Sequence, residues 1–149
     1  MKKLTCVVLL VILSGCVTVK IPKYLPLENP YKKKFFSSFD EVLTAAKQAL
    51  VDTGWQMTDM TSPSVFEQQA SVQTQWKQIL NFTEIRQTPL ILSSRYMSIN
   101  VYLRSVDDGT EVEIRYMAVM PMLFGNSQSY KNDDVVNKIL DRIAQLLEV

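Results

Sequence analysis

The chain has 149 residues, 47% hydrophobic and 21% charged, which suits one globular domain and is too apolar for a disordered chain. Its 16 basic and 15 acidic residues give a formal charge of +1, so there is no basic excess with which to hold nucleic acid. Histidine is absent, which removes the usual serine and cysteine triads and most zinc sites and lowers the expectation of enzymatic activity.

The first residues read as an export signal. Lys2 and Lys3 precede the apolar run LTCVVLLVIL, Leu4 to Leu13, and the small residues Ser14 and Gly15 follow it. That run is too short for a membrane-spanning helix, which needs about 20 residues. The stretch closes on Leu13-Ser14-Gly15-Cys16, and in this it resembles the lipobox of bacterial lipoproteins.

The resemblance implies that the Cys16 sulfur carries diacylglycerol, that a type II signal peptidase cuts just before it, and that the new amino terminus is acylated with a fatty acid such as palmitate. Residues 1–15 are then a signal peptide and Cys16 a membrane anchor. Two or three acyl chains at about 0.8 kcal/mol per buried methylene make such attachment effectively permanent. Val17 stands where an aspartate retains enterobacterial lipoproteins at the inner membrane, so the resemblance implies the outer membrane, on its periplasmic leaflet. Loss of Cys6 with the signal leaves no thiol for an intrachain disulfide. Without Lys2 and Lys3, the 16 basic residues become 14 against 15 acidic, a charge near −1.

Residues 16–35 read as a tether. Pro22, Pro26 and Pro30 block helix and favour an extended chain of about 3 Å per residue. Lys32, Lys33 and Lys34 either solvate its end or add attraction to anionic lipid. Residues 36–149 then form a single domain. Its first helix is predicted from about Ser38 to Thr53, opened by the capping box of Ser38 and Glu41 and stopped at Gly54. Phe39, Val42, Leu43, Ala46, Ala49 and Leu50 form its apolar stripe.

Strands are expected from Trp55 and from Val65 to Trp76, with a further strand and a crossing loop between Lys77 and Leu92. A hairpin is expected from Arg95–Val106 and Thr110–Met120, turning at Asp108-Gly109. That turn would pair Asp107 with Thr110, Leu103 with Ile114, Arg104 with Glu113 and Tyr102 with Arg115. Met122, Leu123 and Phe124 fall in an expected loop, where they either close the core edge or form an apolar patch for a partner. A last helix begins at Asn132-Asp133-Asp134, with Val136, Ile139, Leu140, Ile143 and Leu147 on its inner face.

This order predicts an α+β fold: an antiparallel β-sheet of about four strands covered on one face by an N-terminal and a C-terminal helix. In topology alone, over about residues 36–149, it resembles the helix-grip domains of the BamC/NlpB lipoprotein of the outer-membrane β-barrel assembly machinery. The paired carboxylates, Asp107-Asp108 and Asp133-Asp134, sit where turns and helix starts favour aspartate, so no metal site and no cofactor is expected. Tyr102 and Arg115, with Tyr96, Arg95 and Arg104 nearby, would form an aromatic and basic stripe able to dock an acidic or glycan partner. The expected function is that of a non-enzymatic envelope lipoprotein, a protein-binding accessory subunit of an assembly or secretion complex. The alternative is a binder of a small ligand or peptidoglycan, or an enzyme acting on it, with its site between sheet and helices.

Overall fold

The computed structural model describes residues 19–61, 78–87, 94–122 and 125–148. In chain order these form β1 (Tyr31–Phe35), α1 (Phe39–Asp52), β2 (Gln56–Thr61), β3 (Gln78–Gln87), β4 (Ser94–Val106), β5 (Gly109–Met122), β6 (Gly125–Ser129) and α2 (Asp133–Leu147). The expected signal segment, Cys16, Val17 and the strand expected from Val65 to Trp76 lie outside the described residues.

Both helices start where local chemistry directs. The Ser38 hydroxyl accepts from the Glu41 backbone N–H, and the Glu41 carboxylate accepts from the Ser38 N–H at 2.9 Å, so the capping box is closed. At the other end Gly54 takes φ 94, the left-handed conformation that ends a helix and that a side chain would strain. In α2, Asn132 caps by accepting from the Val135 N–H at 3.2 Å, and Asp133 and Asp134 occupy the positive first turn.

The sheet is antiparallel throughout, ordered β1-β5-β4-β3-β2, with β6 pairing on β5 beyond β1. The α+β arrangement expected from sequence therefore holds, with two short strands, β1 and β6, extending the sheet. Strand alternation sends Met97, Ile99, Val101 and Leu103 of β4 and Val112, Ile114, Tyr116 and Ala118 of β5 to one face. There they meet Val42, Ala46, Ala49 and Leu50 of α1 and Val136, Ile139, Leu140 and Ile143 of α2 in one continuous core, which the buried Trp55 joins. Alanines on α1 allow close approach to the sheet. Asp52 and Arg142, 2.7 Å apart, tie the two helices together, and the Tyr31 hydroxyl ties β1 to α2 by donating to Asp133 at 2.7 Å.

Two expectations are corrected. The hairpin turns at Asp107-Asp108, with Asp108 at φ 62, and the pairing runs Val106 to Gly109, Leu103 to Val112, Tyr102 to Glu113 and Asn100 to Arg115. The ladder is displaced by two residues from the expected one, so every side chain keeps its face while changing its partner. Arg104 meets Glu111 at 3.0 Å instead of Glu113. The cause lies on the neighbouring strand: a Cβ on Gly109 would sit 2.1 Å from the Phe35 carbonyl oxygen, so the glycine serves to admit β1 and is not free to be a turn residue.

The second correction concerns the tether. Tyr31–Phe35 is an edge strand paired with β5, and Leu25 is buried against the opposite face of the sheet with Met117 and Val119. The folded domain thus includes residues from Val19 onward and does not begin at residue 36. The prolines keep this segment out of helix but not straight, since it bends at residues 23–24 and 27–29, with Asn29 at φ 48. A chain with an apolar residue every few positions can lie on a sheet as well as hang in solvent.

Candidate functional site

The face of the sheet turned away from α1 and α2 carries an unusual set of side chains. Mid-strand positions of β4 and β5 alternate outward as Ser98, Asn100 and Tyr102, and as Glu113, Arg115, Met117 and Val119. Polar residues in the centre of a sheet are ordinary if water covers them. Here Asn100 and Tyr102 are fully buried, and Glu113 is 1% exposed. Among the described residues, segment 19–30, which we call the strap, lies over them and bonds to Asn100 and Arg115.

The strap is held chiefly by its backbone. The Asn100 side chain accepts from the Leu25 N–H through Oδ1 at 2.6 Å and donates through Nδ2 to the Lys23 carbonyl at 3.1 Å. One side-chain amide thereby offers the donor and acceptor that a neighbouring strand's peptide would offer. The Arg115 guanidinium donates to the Leu25 carbonyl at 3.1 Å and to Glu113 at 2.8 Å, and lies 4.1 Å from the centre of the Tyr102 ring. Lys32 Nζ reaches Glu113 from β1 at 3.1 Å, so the buried carboxylate faces two cations. Such pairing is what makes its burial tolerable.

Electrostatics fit a lock more than a reaction centre. Burial pushes the Tyr102 hydroxyl up to about 12, against a smaller opposing pull from Arg115, so the phenol stays neutral and is no nucleophile near pH 7. At the strap's far side Lys23 hydrogen-bonds Asp59 on β2, which raises the lysine and lowers the carboxyl from their ordinary values. Val19 and Ile21 then pack toward Met117, Val119 and Tyr130. Among the described residues no group of histidine, cysteine or acidic side chains could hold a metal ion, and no helix is long and apolar enough to cross a membrane. Between sheet and helices the described apolar side chains form one continuous core. A groove of about 840 Å³ runs outside it between the helices, lined by charges of both signs, among them Asp52, Lys138, Asp141 and Arg142.

Of the residues singled out by sequence, Tyr102 and Arg115 are brought together, stacked under the strap instead of open to a partner. Arg95 belongs to the helix-bearing side, where it donates to the Tyr116 hydroxyl at 3.3 Å. Met122 ends β5 and is 58% exposed, and β6 follows where a loop was expected. Cys16, Leu123 and Phe124 lie outside the described residues. Asn100, Lys23 and Leu25 escaped sequence reasoning, and Glu113 was read only as the partner of Arg104. Asn100 and Glu113 had a signal, since they are polar positions amid otherwise strand-forming residues and share a face with Tyr102 and Arg115. Leu25 and Lys23 had none. No protein-family model, no curated protein and no solved structure matches this chain.

Proposed function

We propose that this chain is a lipid-anchored, non-enzymatic protein of the bacterial envelope, held through Cys16 in the periplasmic leaflet of the outer membrane. Its domain binds another envelope protein as an accessory subunit of an assembly or secretion complex. The anchor rests on the lipobox Leu13-Ser14-Gly15-Cys16.

The binding role rests on how apolar side chains are distributed. The described side chains between sheet and helices form an apolar core, while Phe36 is 81% exposed and Met57 and Met60 are exposed on the edge strand β2. Edge strands with adaptable thioether side chains and a protruding aromatic ring suit a protein surface better than a small solute.

Two experiments test the two halves separately. Cys16→Ser should leave unprocessed precursor and abolish incorporation of radioactive fatty acid; persistent labelling would overturn the anchor. A photo-crosslinking residue placed at Phe36 or Met57 in the native host should yield one discrete adduct with an envelope protein. Recovery of no adduct at native expression would overturn the binding role.

A further inference from the structure

We infer that the end of the sheet bearing Met120 and Met122 lies against the lipid surface, so that the domain stands on the membrane with a fixed orientation. The inference rests on the lipid-anchor reading above and adds to it which surface meets the bilayer.

The argument starts from the strap. If residues 16–35 hung free, the domain could sit tens of ångströms from the lipid and point anywhere. Instead the chain is packed from Val19 onward, beside Met117 and Val119 near the carboxyl end of β5. Only Val17 and Thr18 separate Cys16 from Val19, three residue steps with a reach of at most about 10 Å. That end of β5 is therefore confined next to the acyl chains on Cys16.

At the same end α1 and α2 leave apolar side chains exposed. On the helix side of β5 the Tyr116 hydroxyl accepts from the side chain of the α2 cap Asn132 at 3.4 Å, and Ala118 is the last buried position. Past it, alternation keeps Met120 and Met122 on that side of the strand, 43% and 58% exposed. Unbranched thioether side chains adapt to an irregular acyl boundary without ordering it. Of the charges nearby, Lys131 pairs with Asp133 at 3.3 Å, and the exposed Lys20 of the strap adds a cation to an otherwise apolar contact. At the opposite end, Phe36 follows Phe35, which pairs with Thr110, and eight residues of strand between Thr110 and Ala118 span about 26 Å. Phe36 is thus beyond the reach of the anchor and left for a protein partner.

The test uses the intact processed lipoprotein in vesicles of phosphatidylethanolamine and phosphatidylglycerol, with fatty-acid labelling measured on each preparation. Cys6 is removed with the signal and the Cys16 sulfur is occupied by lipid, so Met122→Cys and Phe36→Cys each introduce one free thiol for an environment-sensitive fluorophore. Brominated acyl chains should quench the probe at 122 and leave that at 36 unchanged. Met120→Cys replaces Met122→Cys should the latter not fold. Quenching at 36, at both positions or at neither in a labelled preparation overturns the orientation while the anchor stands. Absence of fatty-acid labelling overturns the anchor reading itself and this inference with it.

Discussion

Replacing Asn100 with alanine isolates the strap's main fastening. In the folded chain Asn100 gives and takes one hydrogen bond each with Lys23 and Leu25, across 77 and 75 residues of sequence. Each such bond contributes about 1 kcal/mol net, and a buried N–H left without a partner costs about 1–3 kcal/mol. Asn100→Ala should therefore weaken strap docking by about 2–3 kcal/mol. At 2 kcal/mol the open fraction rises roughly thirty-fold, at about 1.4 kcal/mol per factor of ten. The assay is limited trypsinolysis of the intact chain, with cleavage after Lys20 and Lys23 followed against cleavage at Lys32–Lys34. The latter reports detachment of β1 from β5, because those lysines lie in a paired strand. When opening is fast relative to cutting, the cleavage rate follows the open population. Asn100→Ala should accelerate the strap cuts and leave the β1 cuts nearly unchanged. Unchanged cutting at Lys23, or equal acceleration at both places, would refute the view that this amide holds the strap in particular.

Burial holds the folded-state Tyr102 value up at about 12 against an ordinary 10.0, so stability should be level below pH 10 and then fall as the unfolded phenol ionises first. The slope contributed by this group is about 1.4 kcal/mol per pH unit up to about pH 12. Urea titrations of the wild type and Tyr102→Phe should therefore diverge by about 1.3 kcal/mol in total between pH 9 and 11, and parallel curves would refute it. Gly109→Ala combines φ 151 with a clash on the Phe35 carbonyl, so it should cost about 1–3 kcal/mol and accelerate trypsin cuts at Lys32–Lys34. Ile139→Ala empties a fully buried position on α2 and should lower the urea unfolding free energy by about 2–5 kcal/mol. Met122→Ala, on an exposed strand end, should stay within about 0.5 kcal/mol of wild type.

What could be read from the sequence divides by the range of the interaction that decides it. The two helix starts were legible because Ser38 and Glu41, or Asn132 and Val135, settle the cap within three residues. The hairpin was legible too, yet its register was misjudged by two residues. An even slip preserves which side chains share a face and still pairs apolar with apolar and Arg104 with a glutamate, so those agreements could not detect it. The deciding contact is between Gly109 and Phe35, from a strand 74 residues earlier that had been read as tether. Tyr31, Lys33 and Phe35 do alternate inward there, a strand pattern masked by three consecutive lysines. β6, with the sequence GNSQS and every residue exposed, forms only because β5 offers it an edge, and nothing in its own composition announces a strand. Tyr102 and Arg115 were rightly linked as neighbours, but Asn100 beside them could not be understood without knowing that Leu25 would lie on top.

The strap also determines the order in which this protein would give way under load. A pull directed through residue 19 meets the loosely packed Val19 and Ile21 first, then the clips at Lys23 and Leu25 one after another, and only afterwards the ladder between β1 and β5. Peeling of this kind breaks few bonds at a time, so the strap would act as a fuse that lengthens the attachment before the core is stressed. Up to about 12 residues, or roughly 40 Å of extended chain, would be released while the sheet and both helices stay intact.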